Sequence, residues 1–599
     1  MSARDGKVTV GTNTLNLKQV VNVARQKALV ELTEETRATL SRGREELNRY
    51  IRQTFDWLET KTPEQRESPA FKLERKQKMM YGVTTGFGEH KTDYMNDPDK
   101  AKRLQENVVA SHASGVGPPF DPETTRAIML LRANTLALGH SGVSPDIVKQ
   151  LVCFLNHGIY PSIPEQGSVG ASGDLAPLAH LALALIGKAP VKHDGQEKSL
   201  EKLKRDHPEL DINPSLELLP KDGLALVNGL TVMTGIGVLA YADAENLVEW
   251  ADAIGAVTME SVLGSSRAFD EVVFTVYGHQ GAKISAGRVR DMIAGSNLIN
   301  RSTDVHDPYS VRCIPQVHGA VRDLLRYVRT TLENQLNSVD DDPIVFTASE
   351  LENLPAPLDS LQPPQGMSAD GWKNRRHFEQ GNFHGEPIAF AMDMLAIGVA
   401  ELGSISERRT QMLLDKNHSR GLPSCLVDNP DGVNSGHMIA QYAAAALVSE
   451  NKGLCHPASV DSIPTSANSE DHVSMGTIAA RKARKVIENV TNILAIELLC
   501  ATEALSFRLG EQQVTDDETR QKKKLQVTDP RCGTRTRDLY EKVRTGSGGI
   551  PILAGNDTIL HMLIDRARQE FLSKPLSEFI GELHTLPPNA CDKRDTTST

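Results

Sequence analysis

Gly476-TIAARKARKVIENVTNILAIELLCATEA-Leu505 is the stretch of sequence that decides the fold. Its apolar residues recur every three or four positions among strong helix formers, which predicts one amphipathic helix of about thirty residues. A helix of this kind is marginal in water by itself and gains most of its stability by packing against other helices. We therefore expect a bundle of long helices.

The same periodicity recurs along the chain, whereas strand signals are few. Further helical patterns cover 124–138, 175–186, 235–257, 389–413 and 433–450. The predicted fold is mainly α: a long-helix bundle with a smaller, loop-rich N-terminal domain whose Gly-rich loops are natural places for function. We predict domains at 1–220, 221–508 and 509–599, the last a helical extension. Two polar stretches, 347–380 and 509–536, have the composition of insertions.

Composition narrows the class of protein. The chain has 599 residues, 39% of them hydrophobic, and a net charge of -11, which suits a globular protein and disfavours binding to nucleic acid or an anionic membrane. Its seven cysteines lack CxxC spacing, so we expect reduced thiols and no metal site. Residues 1–13 are polar and contain no apolar signal core. We expect a cytoplasmic protein that binds a small zwitterionic molecule.

Small residues crowd the stretch Gly167-SVGASGDLAPLA-His180, and they permit backbone turns that larger side chains forbid. By residue type alone, it is a Gly-rich turn that leads into a helix. Asp174 is then a candidate N-cap, and the free amides are a candidate anion site. No lysine follows in the order that a nucleotide phosphate loop requires, so nucleotide binding is poorly supported.

The core of this stretch, Gly170-ASGDLAPLA-His180, resembles the signature of the aromatic amino acid lyase and aminomutase family. Further motifs resemble that family in its own order, namely Tyr81-GVTTGF-Gly88, Gly223-LALVN-Gly229, Asp307-PYSVR-Cys313, Gly381-NFHG-Glu386 and Thr465-SANSEDHVS-Met475. The resemblance covers roughly residues 20–508.

The resemblance implies a cofactor made from the chain itself. In the family, the residues that match Ala171, Ser172 and Gly173 cyclise autocatalytically into a 4-methylidene-imidazol-5-one, and no external cofactor is needed. The residue types suit that chemistry, because the Gly173 amide must approach the Ala171 carbonyl carbon through a compressed backbone with little side-chain bulk. The product is an electrophile, which the twenty ordinary side chains do not supply.

The resemblance also implies roles for five other residues. Arg312 corresponds to the clamp for the substrate carboxylate, for which guanidinium offers a bidentate fork. Tyr309 and Asn228 correspond to residues that line the cofactor and bind substrate or cofactor oxygen. Tyr81 corresponds to the catalytic base, which needs its pKa lowered from about 10 to act near neutrality. Phe383 corresponds to an aromatic wall beside the electrophile.

The resemblance implies that two adjacent residues select the substrate, and the matching pair in this chain is Ser111-His112. A Ser-His pair follows the histidine-type pattern, and His112 can exchange a hydrogen bond with an imidazole. Glu470 follows the same pattern, as a carboxylate beside that imidazole, although capping a helix is an alternative role. The expected reaction is elimination of ammonia from L-histidine to give trans-urocanate. His306 stands where the histidine-type members of the family usually have Gln, so a related imidazole compound is an alternative substrate.

Three alternatives remain at this point. A phenylalanine or tyrosine ammonia-lyase, or an aminomutase of the same family, is the nearest. The fumarase and argininosuccinate-lyase group shares a helical core, but its Gly-Ser-Ser-x-Met-Pro motif is missing, since Gly264-Ser-Ser266 continues as Arg-Ala-Phe. A non-catalytic scaffold has no need of Ser172 and Arg312. Resemblance further implies a homotetramer with active sites assembled from more than one subunit.

Overall fold

The computed structural model describes residues 6–95, 97–354, 362, 372, 375–515, 519, 521–525, 527–546, 548–553 and 555–584. Its regular structure is mainly helical, which confirms the predicted fold class. Each of the six helical patterns found in the sequence is a helix. The pattern at 433–450 begins later than predicted, at Met438, because Gly436 just before it has a left-handed φ of 56°.

The helices divide by length. Those of nine or more residues are Leu17–Arg25, Glu34–Glu59, Pro69–Lys78, Pro98–His112, Pro122–Ala137, Pro145–His157, Ala176–Leu185, Thr231–Ser261, Gln280–Ile293, Ile314–Leu336, Glu386–Leu414, Met438–Leu454, Gly476–Arg508 and Thr534–Thr545. The shorter α-helices are Pro63–Arg66, Leu200–Asp206, Asp222–Val227, Tyr309–Arg312, Ala348–Glu352, Leu560–Arg566 and Ser577–Ile580.

The strands are short and form small sheets. Among the strands of the described residues, only Val8–Thr9 and Val30–Glu31 pair in parallel. The antiparallel sets are Val116–Pro119 with Pro164–Gln166, Tyr160–Pro161 with Val191–His193 and Gln196–Lys198, Ile344–Val345 with His377–Phe378, and Val514–Thr515 with Lys522–Lys523.

Helix starts follow side-chain signals that are visible in the sequence. The Asp121 carboxylate accepts a hydrogen bond from the Thr124 amide at 2.9 Å, and Pro122 occupies the first helical position. Thr33 caps the helix Glu34–Glu59 in the same way, through the Thr36 amide at 3.2 Å. Each cap satisfies an amide that the helix leaves free and contributes about 1 kcal/mol.

The described chain forms two compact units, each built from several segments. The first comprises Met1–Leu239, Thr330–Met392 and Pro457–Arg481, and the second comprises Ala240–Arg329, Asp393–His456 and Lys482–Thr599. Four of the five boundaries fall inside long helices, and the units do not follow chain order. The division at 1–220, 221–508 and 509–599 stays a prediction.

A buried ionic cluster ties three long helices together in the second unit. The Glu497 carboxylate accepts hydrogen bonds from Arg409 at 2.6 and 2.8 Å and from the Thr258 hydroxyl at 2.7 Å. All three residues are fully buried. Losing one partner would leave an uncompensated charge at a cost of about 3 to 5 kcal/mol, so the cluster holds these helices in one register.

Two helices, Glu386–Leu414 and Gly476–Arg508, are long and apolar enough to cross a membrane by length and composition. Of their most apolar windows, 61% and 89% are buried inside the protein. A buried core helix passes the same test, so these two helices are weak evidence for a membrane span.

The two predicted insertions are only partly described. Of 347–380, the described part contains the helix Ala348–Glu352 and the strand His377–Phe378, and most of the remainder lies outside the described residues. The stretch 509–536 contains the antiparallel pair Val514–Thr515 and Lys522–Lys523.

Candidate active site

The turn at Ala171 to Gly173 packs closely against a second Gly-containing turn in the first unit. Gly173 has a φ of +75°, and a Cβ there would lie 2.2 Å from the Gly229 carbonyl oxygen. The Asp174 amide donates to that same oxygen at 2.8 Å. Glycine is therefore required at 173 both by its backbone angle and by the space around it.

Asp174 holds this turn against the start of another helix. Its carboxylate accepts hydrogen bonds from the amides of Val232 and Met233 at 2.6 and 3.2 Å and from the Thr477 hydroxyl at 2.8 Å. Complete burial raises the pKa of Asp174 to about 7, more than these bonds lower it. Asp174 is not the N-cap of its own helix, because Leu175 occupies that position with no side-chain cap. It instead binds the first turn of Thr231–Ser261.

Ser172 is held from two sides. Its hydroxyl donates to Glu470 Oε1 at 2.8 Å, and its carbonyl oxygen accepts from the Asn228 amide group at 3.1 Å. Asn228 is itself fixed, because its Oδ1 accepts from the Asp342 amide at 2.9 Å. The Ser172 side chain and its peptide oxygen therefore each face a separate polar group.

Glu470 follows a strained turn. Ser466, Ala467 and Asn468 have φ values of 50°, 52° and 63°, a left-handed run that costs non-glycine residues roughly 1 to 2 kcal/mol each. Thr465 closes the turn: its amide donates to the Glu470 carbonyl at 2.9 Å and its hydroxyl to Glu470 Oε2 at 2.8 Å. The turn thus aims the carboxylate at Ser172, and observed strain of this kind is common at functional sites.

Tyr81 lies at the start of its Gly-rich loop, which folds back on it. The Gly88 amide donates to the Tyr81 hydroxyl at 2.9 Å, and the Phe87 ring lies edge-on at 6.1 Å. Burial raises the pKa of Tyr81, more than the Gly88 amide lowers it, and the Glu470 and Asp342 carboxylates raise it further. The lowered pKa that a base needs is therefore not provided by the environment of Tyr81 in this structure.

Ser111 and His112 end the helix Pro98–His112. The Ser111 Oγ and His112 Nδ1 atoms lie 3.1 Å apart. Burial lowers the pKa of His112, against the raising effects of the Val108 carbonyl and the Glu470 carboxylate. His112 is therefore neutral near pH 7, with one ring nitrogen able to donate and the other to accept.

Tyr81, His112, Ser172 and Glu470 line one cavity of about 500 Å³. This volume suits a small molecule. Its wall combines groups that can bear charge with an apolar lining. The lining residues are Tyr81, Gly86, Phe87, Gly88, His90, Asp93, Met95, Leu104, Val108, Ser111, His112, Ser172, Leu175, Leu224, Val227, Asn228, Ser466 and Glu470.

His90 and Asp93 are two polar lining residues that the sequence analysis did not identify. His90 Nδ1 lies 2.8 Å from Asp93 Oδ2, in the 3₁₀ turn that continues the Tyr81 loop. The motif that resembles the family in this loop ends at Gly88, so the two residues beyond it were missed. The signal available was their spacing of three residues immediately after a Gly-rich loop.

Other predicted site residues lie elsewhere in the described chain. Ala171 is buried and packs in a cluster with Val473 and Met475. Tyr309 is 73% exposed, and the guanidinium carbon of Arg312 lies 5.6 Å from its ring. Both belong to the second unit. Neither lines the cavity among the described residues, and the same is true of Phe383 and the exposed His306.

The fold and this cavity define a helical protein with a site for a small molecule, and comparison with known proteins defines the class. Residues 64–544 match the model of the aromatic amino acid lyase family. A histidine ammonia-lyase of Caldanaerobacter subterraneus subsp. tengcongensis is 44% identical over 506 residues, covering 84% of this chain and 89% of the relative. The chain therefore belongs to the aromatic amino acid lyase family and is a carbon–nitrogen lyase.

Solved structures agree with this assignment. Histidine ammonia-lyase from Trypanosoma cruzi matches with a TM-score of 0.75 and 33% identity, over 96% of this chain and 95% of that one. Tyrosine aminomutase from Streptomyces globisporus matches with a TM-score of 0.76 and 33% identity, over 96% and 99%. Because two different reactions share this fold at the same sequence identity, the fold by itself does not define the substrate.

Proposed function

We propose that the protein eliminates ammonia from L-histidine without oxidation and releases trans-urocanate, as a step in histidine breakdown. One observation carries the proposal: the His112 imidazole and the Glu470 carboxylate line the same cavity as Ser172. His112 can exchange a hydrogen bond with the substrate imidazole, and a carboxylate can pair with its N–H. A phenyl or phenol ring would leave one or both of these groups unpaired.

The proposed cofactor is the 4-methylidene-imidazol-5-one formed from Ala171, Ser172 and Gly173. Its formation joins the Gly173 nitrogen to the Ala171 carbonyl carbon and releases two water molecules, one of which carries the Ser172 hydroxyl. The residues present fit this group, because Gly173 packs where no side chain fits and Asn228 donates to the Ser172 oxygen. When formed, the group supplies an electrophile.

Within the cavity, Tyr81 is the proposed base for the β-proton of the substrate. Burial raises its pKa, so its deprotonation requires a positive charge nearby. The ammonium group of the bound amino acid brings such a charge. Glu470, whose two carboxylate oxygens accept from Ser172 and Thr465, is placed to pair with the imidazole and to move a proton.

Arg312 is the proposed clamp for the substrate carboxylate, Tyr309 a proposed residue lining the cofactor and Phe383 a proposed aromatic wall beside the electrophile. We propose that other copies of the chain supply all three. None of the three lines the cavity of its own chain among the described residues. The helix Glu386–Leu414 also carries exposed apolar residues, namely Phe390, Met394 and Ile397. Such a stripe is typical of a surface covered by another chain, which favours a homotetramer.

The remaining expectations concern partners and location. We propose that the enzyme acts in the cytoplasm on a free amino acid and binds neither nucleic acid nor membrane. The net charge of -11 supports the first absence, and the extensive burial of the two apolar helices supports the second.

Incubation of the purified protein with L-histidine, L-phenylalanine and L-tyrosine tests the proposal. We expect ammonia and the ultraviolet absorbance of urocanate from histidine, with little turnover of the other two. Preferred turnover of an aromatic amino acid would reject the histidine assignment. A β-amino acid product would identify an aminomutase. Turnover of another imidazole amino acid, with no turnover of these three, would reject L-histidine as the substrate and indicate that His306 affects substrate choice.

A further inference from the structure

Two imidazole rings face one another in the first unit, outside the cavity described above. His384 and His472 stack with centroids 5.3 Å apart and planes at 25°. Nε2 of His384 and Nδ1 of His472 are separated by 3.3 Å. Two nitrogens bound to one tetrahedral Zn²⁺ at about 2.0 to 2.1 Å lie about 3.4 Å apart. The separation therefore already matches that of two zinc ligands.

A carboxylate completes the group. One ligand atom each from His384, Glu386 and His472 can be chosen so that all three lie within 4.8 Å of one another. Glu386 Oε2 is buried and accepts no hydrogen bond among the described residues. A buried acceptor without a partner costs free energy, which a bound cation removes. Two imidazoles and one carboxylate are a common donor set for Zn²⁺ that leaves a fourth position open to water.

The backbone around the three ligands is closely packed. A Cβ at Gly385 would lie 2.7 Å from the Ser474 hydroxyl oxygen, so the segment with His384 and Glu386 directly contacts the segment with His472. Glu386 is the first residue of the helix Glu386–Leu414, where the helix dipole favours its carboxylate. Such packing reduces the ordering that a metal would otherwise have to impose.

We infer that His384, Glu386 and His472 form a binding site for a divalent transition-metal ion, of which Zn²⁺ is the best fit. The ion joins the segment that contains Phe383 to the segment that contains Glu470, and so steadies the strained turn before that carboxylate. The sequence predicted no metal site, because its metal argument rested on cysteine spacing. The inference is independent of the proposed elimination reaction, since either can hold without the other.

The competing explanation is a hydrogen bond between the rings. The Glu386 amide lies 3.4 Å from His384 Nδ1 and can donate to it, which places the ring proton on Nε2, facing His472. Metal binding must move that proton to Nδ1 and give up this long contact. The two explanations therefore differ in whether Nε2 carries a proton or a metal ion.

Calorimetric titration of the chelator-treated, untagged full-length protein with ZnCl₂, in the absence of histidine, tests the site. We expect one Zn²⁺ per chain. His384→Ala and His472→Ala should each lower the affinity by at least about 100-fold, the upper end of what losing an outer-shell partner costs. His561→Ala is the matched control: His561 is exposed and pairs with Asp565 at 3.3 Å, outside any group of three possible ligands among the described residues.

A milder variant and a second readout guard against misfolding. Glu386→Gln keeps the side-chain shape and should weaken Zn²⁺ binding while circular dichroism stays unchanged. Co²⁺ should give the intense visible absorption of a four-coordinate ion in the wild-type protein and lose it in His472→Ala. Failure of the wild-type protein to bind Zn²⁺, or binding that survives all three substitutions, would overturn the inference in favour of the hydrogen bond.

Discussion

The cavity around Ser172 and the helix Tyr309–Arg312 present their polar groups in opposite ways. In the cavity, Ser172 and Glu470 each have partners in the same chain, at 2.8 and 3.1 Å for Ser172 and at 2.8 Å for both oxygens of Glu470. On the helix, Tyr309 is 73% exposed, and the guanidinium carbon of Arg312 lies 5.6 Å from the centre of the Tyr309 ring. One region is organised by its own chain, whereas the other is left open to a substrate or to another copy.

The largest expected effect is at Ser172, the centre of the organised region. Ser172→Ala removes the hydroxyl that leaves as water in the proposed cyclisation, so the proposed electrophile cannot form. Activity should fall at least about 10³-fold, the order found when a covalent group is lost. Intact mass should show the wild-type chain lighter than its sequence by two water molecules and the variant not. Exposed Ser215→Ala is the control, and an active Ser172→Ala enzyme would refute the mechanism.

Glu470→Gln comes next. The amide keeps the shape but loses the charge, and its NH₂ group cannot accept from either Ser172 or Thr465. We expect kcat to fall by about 10² to 10⁴-fold, the range for a lost acid–base group, while intact mass separates slow turnover from failed cofactor formation. Exposed Glu67→Gln serves as the comparison. Nearly wild-type turnover would remove Glu470 from the reaction.

Arg312→Ala tests the open region. Loss of a bidentate contact to the substrate carboxylate should lower kcat/KM by about 10²-fold, mainly through KM. Co-expression with Tyr81→Phe should then restore part of the activity, because mixed assemblies contain sites that combine an intact Tyr81 with an intact Arg312. No recovery, or a monomer in analytical ultracentrifugation, would contradict a site shared between copies. Exposed Arg301→Ala should behave as wild type.

The smallest effects concern His112. His112→Ala should lower kcat/KM for histidine by about 10 to 100-fold, the equivalent of one lost hydrogen bond. Burial also lowers the pKa of His112. As pH falls through about 6.5, the unfolded chain binds a proton before the folded chain does, so the folded state loses stability.

Urea denaturation of wild type and His112→Ala at pH 7 and pH 5 measures this contribution. The variant should lose less free energy of unfolding between the two values than wild type does. An equal loss in both proteins would mean that His112 titrates normally in the folded state.

Most of the long helices could be predicted from hydrophobic periodicity, because local sequence signals are enough to locate a helix. The pattern at 476–505 became the helix Gly476–Arg508, and the pattern at 124–138 became the helix Pro122–Ala137. The sequence prediction was wrong where the hydrogen-bond partners of a residue lie far along the chain. Asp174 was a reasonable cap for the helix that follows it, yet it binds Val232 and Met233.

The candidate site shows the same difference between local sequence signals and long-range packing. The sequence by itself determined the residue types: the small residues around Ser172, the Ser111-His112 pair and the choice of Glu470, since each belongs to a short contiguous motif. Only the tertiary structure decided that Glu470 contacts Ser172 across 298 positions, that Tyr81 is buried enough for its pKa to rise, and that His384 faces His472. These outcomes depend on how distant segments pack, and local propensity contains no information about that packing.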